Sequence, residues 1–409
     1  MRIPSLRTLI ERIACVAAIP LLAAGIYSAV RLCAADAEYR ANTTGSLEKA
    51  VQIESDDAEY HALLAEHLEG EGREPKDERE AAVRLSPLES KHWIALAIRA
   101  ESAGDLSRAE KLYLHAADVD RTYAPRWALM NFYFRRQDSQ KFWLWAKRAF
   151  EMGYEDQRAA FRFCWLMTDD PLVVERALPR NKEIRRGYLD FLIDTKRFQY
   201  LAPLDRQVAE EADATDLPWL IRYCERTAVP NSRSAVDVWN ILCRKGLEPF
   251  RPLSPEKGEI VTNGDFGIDP IERGFDWRIP IINGVQVAPR ADRGMSVQLN
   301  GNQPEDCVTL IEIIPLSPGT KYLMSYEYTS DSAAPHSGLS WEVLDPDSNK
   351  SIGSSGPLKI TGDKISGQAT FTAETASEAQ LALRYTREPG TVRHEEALTL
   401  LGISIKATQ

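Results

Sequence analysis

Trp93 and Trp127 recur at an interval of about 34 residues, and Ala82 and Ala116 keep the same interval. Around the first tryptophan the chain reads Trp93-x2-Leu96-Ala97, then Gly104, Ala109-x3-Tyr113 and Ala116. An aromatic ring early in one helix, a glycine near the turn and alanines along the next helix describe a hairpin whose two helices approach closely. Such a hairpin cannot bury its apolar face alone, so at a period of about 34 residues it must stack on copies of itself. Ala50, nearly the same interval before Ala82, closes the equivalent helix of an earlier unit. After Ala82, Pro87 ends the unit, because proline cannot continue a helix.

These residues resemble the tetratricopeptide (TPR) family over roughly residues 45–150, with 90–123 as the fullest copy. The next copy keeps Trp127, Met130 and Phe134, but Trp143 stands where Ala109 stood and Phe150 where Ala116 stood. Either the helix register shifts there or the packing loosens. The resemblance implies that the first helix of each hairpin lines a concave groove for a protein partner. That places Lys91, Ile94, Ile98 and Glu101 of one copy, and Ala128, Phe132, Arg135 and Arg136 of the next, at the groove. Arg135-Arg136 offers planar donors to a carboxylate; the alternative is a solvated helix end. Trp93, Trp127, Trp143 and Trp145 read as packing residues. Past residue 156 the signature fades while helical periodicity persists, so a TPR-like solenoid is expected over 36–248.

Ile13–Val30 is an uncharged run of about 18 residues, the lower limit for a helix spanning a bilayer. Arg2, Arg7 and Arg12 precede it. Positive charge before such a run predicts a cytoplasmic tail (1–12), a transmembrane signal anchor (13–35) and the remaining chain outside, in the periplasm of a bacterial inner membrane. The competing reading is a cleaved signal peptide, since Ala35-Asp36-Ala37 has the small-x-small form of a cleavage site.

With 409 residues, two or three domains are expected. The net charge of -10 argues against a duplex nucleic-acid partner, which a basic face would bind. The six cysteines show no Cys-x-x-Cys pair; Cys164, Cys224 and Cys243 read as buried thiols, and a Cys224–Cys243 disulfide is compatible with an exported domain.

Composition changes at 249–258, where three prolines and a glycine suggest a stiff linker. Beyond it come short alternating runs: Val308–Ile314, Thr320–Tyr328, Leu339–Leu344, Ala369–Ala373, Ala379–Tyr385 and Leu398–Ile405. Their spacing predicts a β-sandwich. By the alternation of strand side chains, Tyr322, Met324, Tyr326 and Tyr328 share a core face, as do Ala379, Leu381, Leu383 and Tyr385.

Thr262-Asn-Gly-Asp-Phe266, Gly274-Phe-Asp-Trp277 and Ile313-Ile-Pro-Leu-Ser-Pro-Gly-Thr-Lys-Tyr322 resemble galactose-binding-like jelly rolls. The likeness is to carbohydrate-binding modules of the family 4/9 type and covers 259–409 to within a few residues. It implies a glycan ligand, for which Trp277 and Trp341 are the candidate stacking residues, although Trp341 shares the phase of Leu339 and Val343. A structural calcium is the family's accompaniment, but Gly267 stands where an acidic residue is usual.

The chain contains no G-x4-G-K-[ST] loop and no nucleophile elbow, and His394-Glu395-Glu396 lacks the second histidine of a zinc helix. The expectation is therefore a multidomain chain without cofactor: a membrane helix, an α-helical solenoid and a C-terminal β-sandwich. Such a chain would act as a non-enzymatic scaffold for a protein and a glycan, in the manner of polysaccharide assembly or export systems. The alternatives are a protein-binding module without sugar binding and a glycan-modifying enzyme.

Overall fold

The computed structural model describes residues 6–153, 156–330, 333–334, 337–393 and 395–408. Arg2, His336 and His394 lie outside the described residues. A helical region is followed by a two-sheet β-sandwich, as the patterning predicts. The chain forms two compact units, Met1–Ile184 and Arg185–Gln409.

In the first unit the helices pair in order. They are α1 (Leu6–Ala41) with α2 (Thr44–Ile53), α3 (Ala58–Gly70) with α4 (Lys76–Leu85), and α5 (Ser90–Ser102) with α6 (Leu106–Val119). Then come α7 (Tyr123–Arg135) with α8 (Ser139–Phe150), and α9 (Arg158–Met167) with α10 (Pro171–Ala177). The second helices of the last three hairpins start at aspartates whose side chains accept first-turn amides: Asp105 from Arg108, Asp138 from Lys141 and Asp170 from Leu172. These contacts satisfy amides that the helix itself leaves free. Ala50, Ala82 and Ala116 are all buried, as close approach of paired helices requires.

The departure in the fourth hairpin resolves as a register shift. Its cap, Asp138, follows Asp105 one position sooner than Trp127 follows Trp93. Phe142 and Ala149, both 0% exposed, therefore take the places of Ala109 and Ala116. Trp143 is turned half out of the core, and Phe150 stacks on Phe161 of the next hairpin at 5.4 Å.

Helix α1 is continuous from the apolar run into the repeat stack. Within Ala18–Ala41 an 18-residue window has a mean hydropathy of 1.6, long and apolar enough to cross a membrane by length and composition. Its last turns belong to the first hairpin: Ala35 packs with Ala50 and Tyr60, and Arg31 donates to the Ile53 carbonyl at 2.8 Å and pairs with Glu54 at 3.0 Å.

The second unit begins within α11 (Lys182–Asp194) and continues through α12 (Leu204–Glu210), α13 (Leu217–Thr227) and α14 (Ser232–Arg244). Segment 249–258, the stiff linker of the sequence, is packed against α14. Phe250 stacks on Trp239 of α14 at 5.9 Å, and Asn240 exchanges two hydrogen bonds with the Leu253 backbone, at 2.6 and 2.8 Å. The same helices grip the start of the sandwich. Phe275 packs edge-on to Trp239, and Glu225 accepts from the Gly274 amide and from Arg278, both at 3.0 Å. Cys164, Cys224 and Cys243 are free and buried, so the Cys224–Cys243 disulfide is not formed.

The strands are β1 (Val285–Pro289), β2 (Met295–Asn300), β3 (Asp306–Pro315), β4 (Thr320–Ser330), β5 (Ala333–Ala334) and β6 (Leu339–Leu344). They continue with β7 (Ser351–Pro357), β8 (Ile360–Thr361), β9 (Ile365–Ala373), β10 (Glu378–Thr386) and β11 (Glu395–Thr408). One antiparallel sheet runs β1-β2-β11-β4-β9 and the other β3-β10-β6-β7, with β5 and β8 pairing apart. Both tyrosine- and leucine-bearing faces identified from the alternation are buried between the sheets. The strands absent from the sequence reading include β1, whose residues are only partly buried, and β7, a Ser/Gly-rich strand with no apolar alternation.

Candidate functional site

A cleft of about 1190 Å³ opens in the second unit, over the outward side of β11, β4 and β9. Residues alternating with the buried tyrosines form its floor. Register places Ser404, Ser325 and Gln368 in one row across the three strands, and Gly402, Glu327 and Ser366 in the next. Adjacent strands lie about 4.8 Å apart, so each row offers polar groups over roughly 10 Å, the reach of two sugar rings. Segment 258–268 and Arg293 wall the cleft. Gly367 permits the floor to close: a Cβ there would come within 2.4 Å of the Tyr326 ring beneath it.

Electrostatics fix several of these groups. Lys364 at 2.8 Å, helped by Ser366 at 3.2 Å, holds the Glu327 carboxyl below its ordinary range. Arg293 pairs with Asp265 at 2.7 Å. Behind the wall, Glu312 is fully buried and accepts the Thr262 amide, and Asp276 accepts the Ile271 amide at 2.6 Å. Burial pushes the Glu312 carboxyl well up and that of Asp276 up to about 6. Sealed from solvent, they brace the 262–277 loop. Among the described residues, no group of three His, Cys, Asp or Glu side chains gathers where a metal ion would be held. The Gly267 amide donates to Asp265 Oδ1 at 3.3 Å.

Trp277 and Trp341 do not line this cleft. Trp277 is 0% exposed and Trp341 1%, with their ring centroids 5.8 Å apart inside the sandwich. This corrects the expectation that they stack on a sugar: their apolar surface is taken up by the core. The floor residues that the sequence reading missed carried a signal, the polar phase of the Thr320–Tyr328 alternation.

The groove candidates of the helical unit also separate. Lys91 is exposed and paired with Glu59, and Ile98 is 52% exposed. Phe132 is buried against Tyr113 and Tyr133, so it is a core residue and not a groove contact. Arg135 donates two hydrogen bonds to Glu101, each 2.7 Å, so the Nε–Nη2 edge of its guanidinium is already taken. Arg136 is exposed at the helix end and makes no ion pair with the described residues.

No family model matches the chain, and no curated protein does. Several solved structures resemble it at low identity. One, described as CBM4, is 14% identical, covers 36% of this chain and 99% of its own, with a TM-score of 0.30. Another, TmCBM61 in complex with beta-1,4-galactotriose, is 13% identical over 38% of this chain and 97% of its own, at a TM-score of 0.24. Pseudomonas aeruginosa pilF is 19% identical over 53% of this chain and 93% of its own, at a TM-score of 0.26.

Proposed function

We propose that the chain is a membrane-anchored, non-enzymatic scaffold: TPR-like hairpins bind a protein partner, and the sandwich binds a glycan in the cleft over β11, β4 and β9. The observation that carries the glycan reading is the double row of Ser404, Ser325, Gln368, Glu327 and Ser366, an array of donors and acceptors spaced for saccharide hydroxyls. The anchor reading draws support from α1. Cleavage beside Ala35 would cut a helix at a residue with 0% exposure and remove the Arg31 bonds to α2, so retention of the apolar segment suits the fold better than its removal. With positive charge ahead of that segment, the remaining chain lies outside the cytoplasm, where polysaccharides are assembled and exported.

One observation favours a second reading, a protein-binding module without sugar binding. The aromatic rings at the cleft, Phe250 and Tyr326, are each only 8% exposed and offer no stacking platform.

A glycan array probed with the full chain in detergent separates the two. Saturable binding that Gln368→Ala and Ser404→Ala abolish supports the cleft, whereas binding at background selects the second reading. A reporter enzyme active only outside the cytoplasm, fused after Gln409, tests the orientation; an inactive fusion overturns it.

A further inference from the structure

We infer that a trough between α8 and α10 is a docking site for an acidic amphipathic segment of a partner protein. The trough has a volume of about 590 Å³ and lies between the second helices of the fourth and fifth hairpins, not on the first helices, where the groove was expected. Its walls come from one stripe of each helix. Gln140, Trp143, Leu144 and Lys147 follow helical spacing on α8, as do Val173, Arg176 and Ala177 on α10.

The core does not explain the α8 stripe. Phe142, Trp145, Ala146, Ala149 and Phe150 already supply its buried face. Leu144 is nonetheless 47% exposed and the neighbouring Trp143 only partly buried, because the one-residue register shift turned Trp143 outward. An apolar pair at the floor of a concave trough is the usual seat of an anchoring side chain.

Charge selects the partner. None of the lining side chains is acidic, while Lys141, Lys147 and Arg176 stand around the apolar floor. Lys141 is neutralised by Glu110 at 2.7 Å and Asp138 at 3.8 Å. Lys147 and Arg176 are on opposite walls and pair with no acid among the described residues. A segment with one leucine-sized anchor and carboxylates a turn to either side fits this arrangement. An anionic bilayer fits it less well, since a membrane needs a broad basic face and this chain carries a net charge of -10.

The test uses the full chain in nanodiscs of phosphatidylcholine. The probe is a fluorescein-labelled helical peptide of about 14 residues carrying Leu and Glu on one face, followed by anisotropy. Saturable binding is expected, weakened at least about tenfold by Lys147→Glu/Arg176→Glu and by Trp143→Ala, and weakened by added salt. The same peptide with Gln for Glu should bind poorly. Both charge reversals fall on side chains without an ion pair to any described residue, so an unchanged thermal melt confirms that the variant is folded. No saturable binding, equal binding of the Gln peptide, or indifference to the double reversal overturns the proposal. Selective capture of vesicles containing phosphatidylglycerol that the reversal abolishes overturns it in favour of a lipid surface.

Discussion

Arg135 of one hairpin closes a two-pronged ion pair on Glu101 of the hairpin before it, Nε to Oε1 and Nη2 to Oε2, both at 2.7 Å. The Tyr113 hydroxyl donates to the same carboxylate at 3.0 Å. The two charged residues stand one repeat apart, so the period of the sequence becomes a contact in the stack. A residue on one hairpin is held by its counterpart on the next. Removing Glu101 strands a buried tyrosine hydroxyl as well as the guanidinium. Glu101→Ala should cost about 1–3 kcal/mol. Arg135→Ala, on the half-exposed side of the pair, should cost less than about 1 kcal/mol. Thermal unfolding of the two variants in detergent checks the order; equal losses would contradict it.

The same pair sets an acid limit. Glu101 is partly buried, which raises its pKa, but hydrogen bonds from Arg135 and Tyr113 outweigh this and hold the carboxyl below its ordinary value. A carboxylate of this kind contributes stability above its unfolded pKa and loses it as pH falls through the lowered folded pKa. The melting temperature of the wild type should therefore fall below about pH 4 more steeply than that of Glu101→Gln.

Glu396 carries the opposite sign. It is 9% exposed on β11, and burial pushes its carboxyl up to about 8. The protonated form suits the fold, so its contribution is complete below about pH 4.5 and is lost as pH rises towards 8. Glu396→Gln should leave stability unchanged near pH 4 and raise it by several kcal/mol, up to about 5, at pH 9. Denaturant titrations at both values test this, and a gain of equal size at both would be inconsistent with a titrating group.

Trp341 sits 1% exposed against Trp277. Trp341→Ala should cost about 3–5 kcal/mol through the cavity it leaves. Trp341→Phe, if folded, should bind any glycan as the wild type does. Loss of binding in a folded Phe variant would return this residue to the ligand site.

Gly274 governs how α14 meets the sandwich. Its φ of +59° is unfavourable for other residues, and a Cβ would lie 2.3 Å from the Trp239 ring. Gly274→Ala should cost about 3 kcal/mol and open the 249–278 region to limited proteolysis, while leaving peptides of the first unit protected.

Much of the architecture is local and was therefore legible. The regular spacing of Trp93 and Trp127, the alanines at 50, 82 and 116, and the alternation through Thr320–Tyr328 follow from helix and strand periodicities, which depend on near neighbours. The apolar run at Ile13–Val30 is likewise a property of consecutive residues. Tertiary structure decided what those periods leave open. Trp277 is an aromatic that sequence alone cannot assign to core or surface, because its loop has no period, and only packing against Phe266 and Trp341 buries it. The pairing of Arg135 with Glu101 exists only once the two hairpins stack. The prolines at 249–258 mark a stiff linker, and only the fold shows that Trp239 and Asn240 hold it. Ser325, Gln368 and Ser404 meet in one row only through strand register, a relation between residues far apart in the chain that no local pattern encodes.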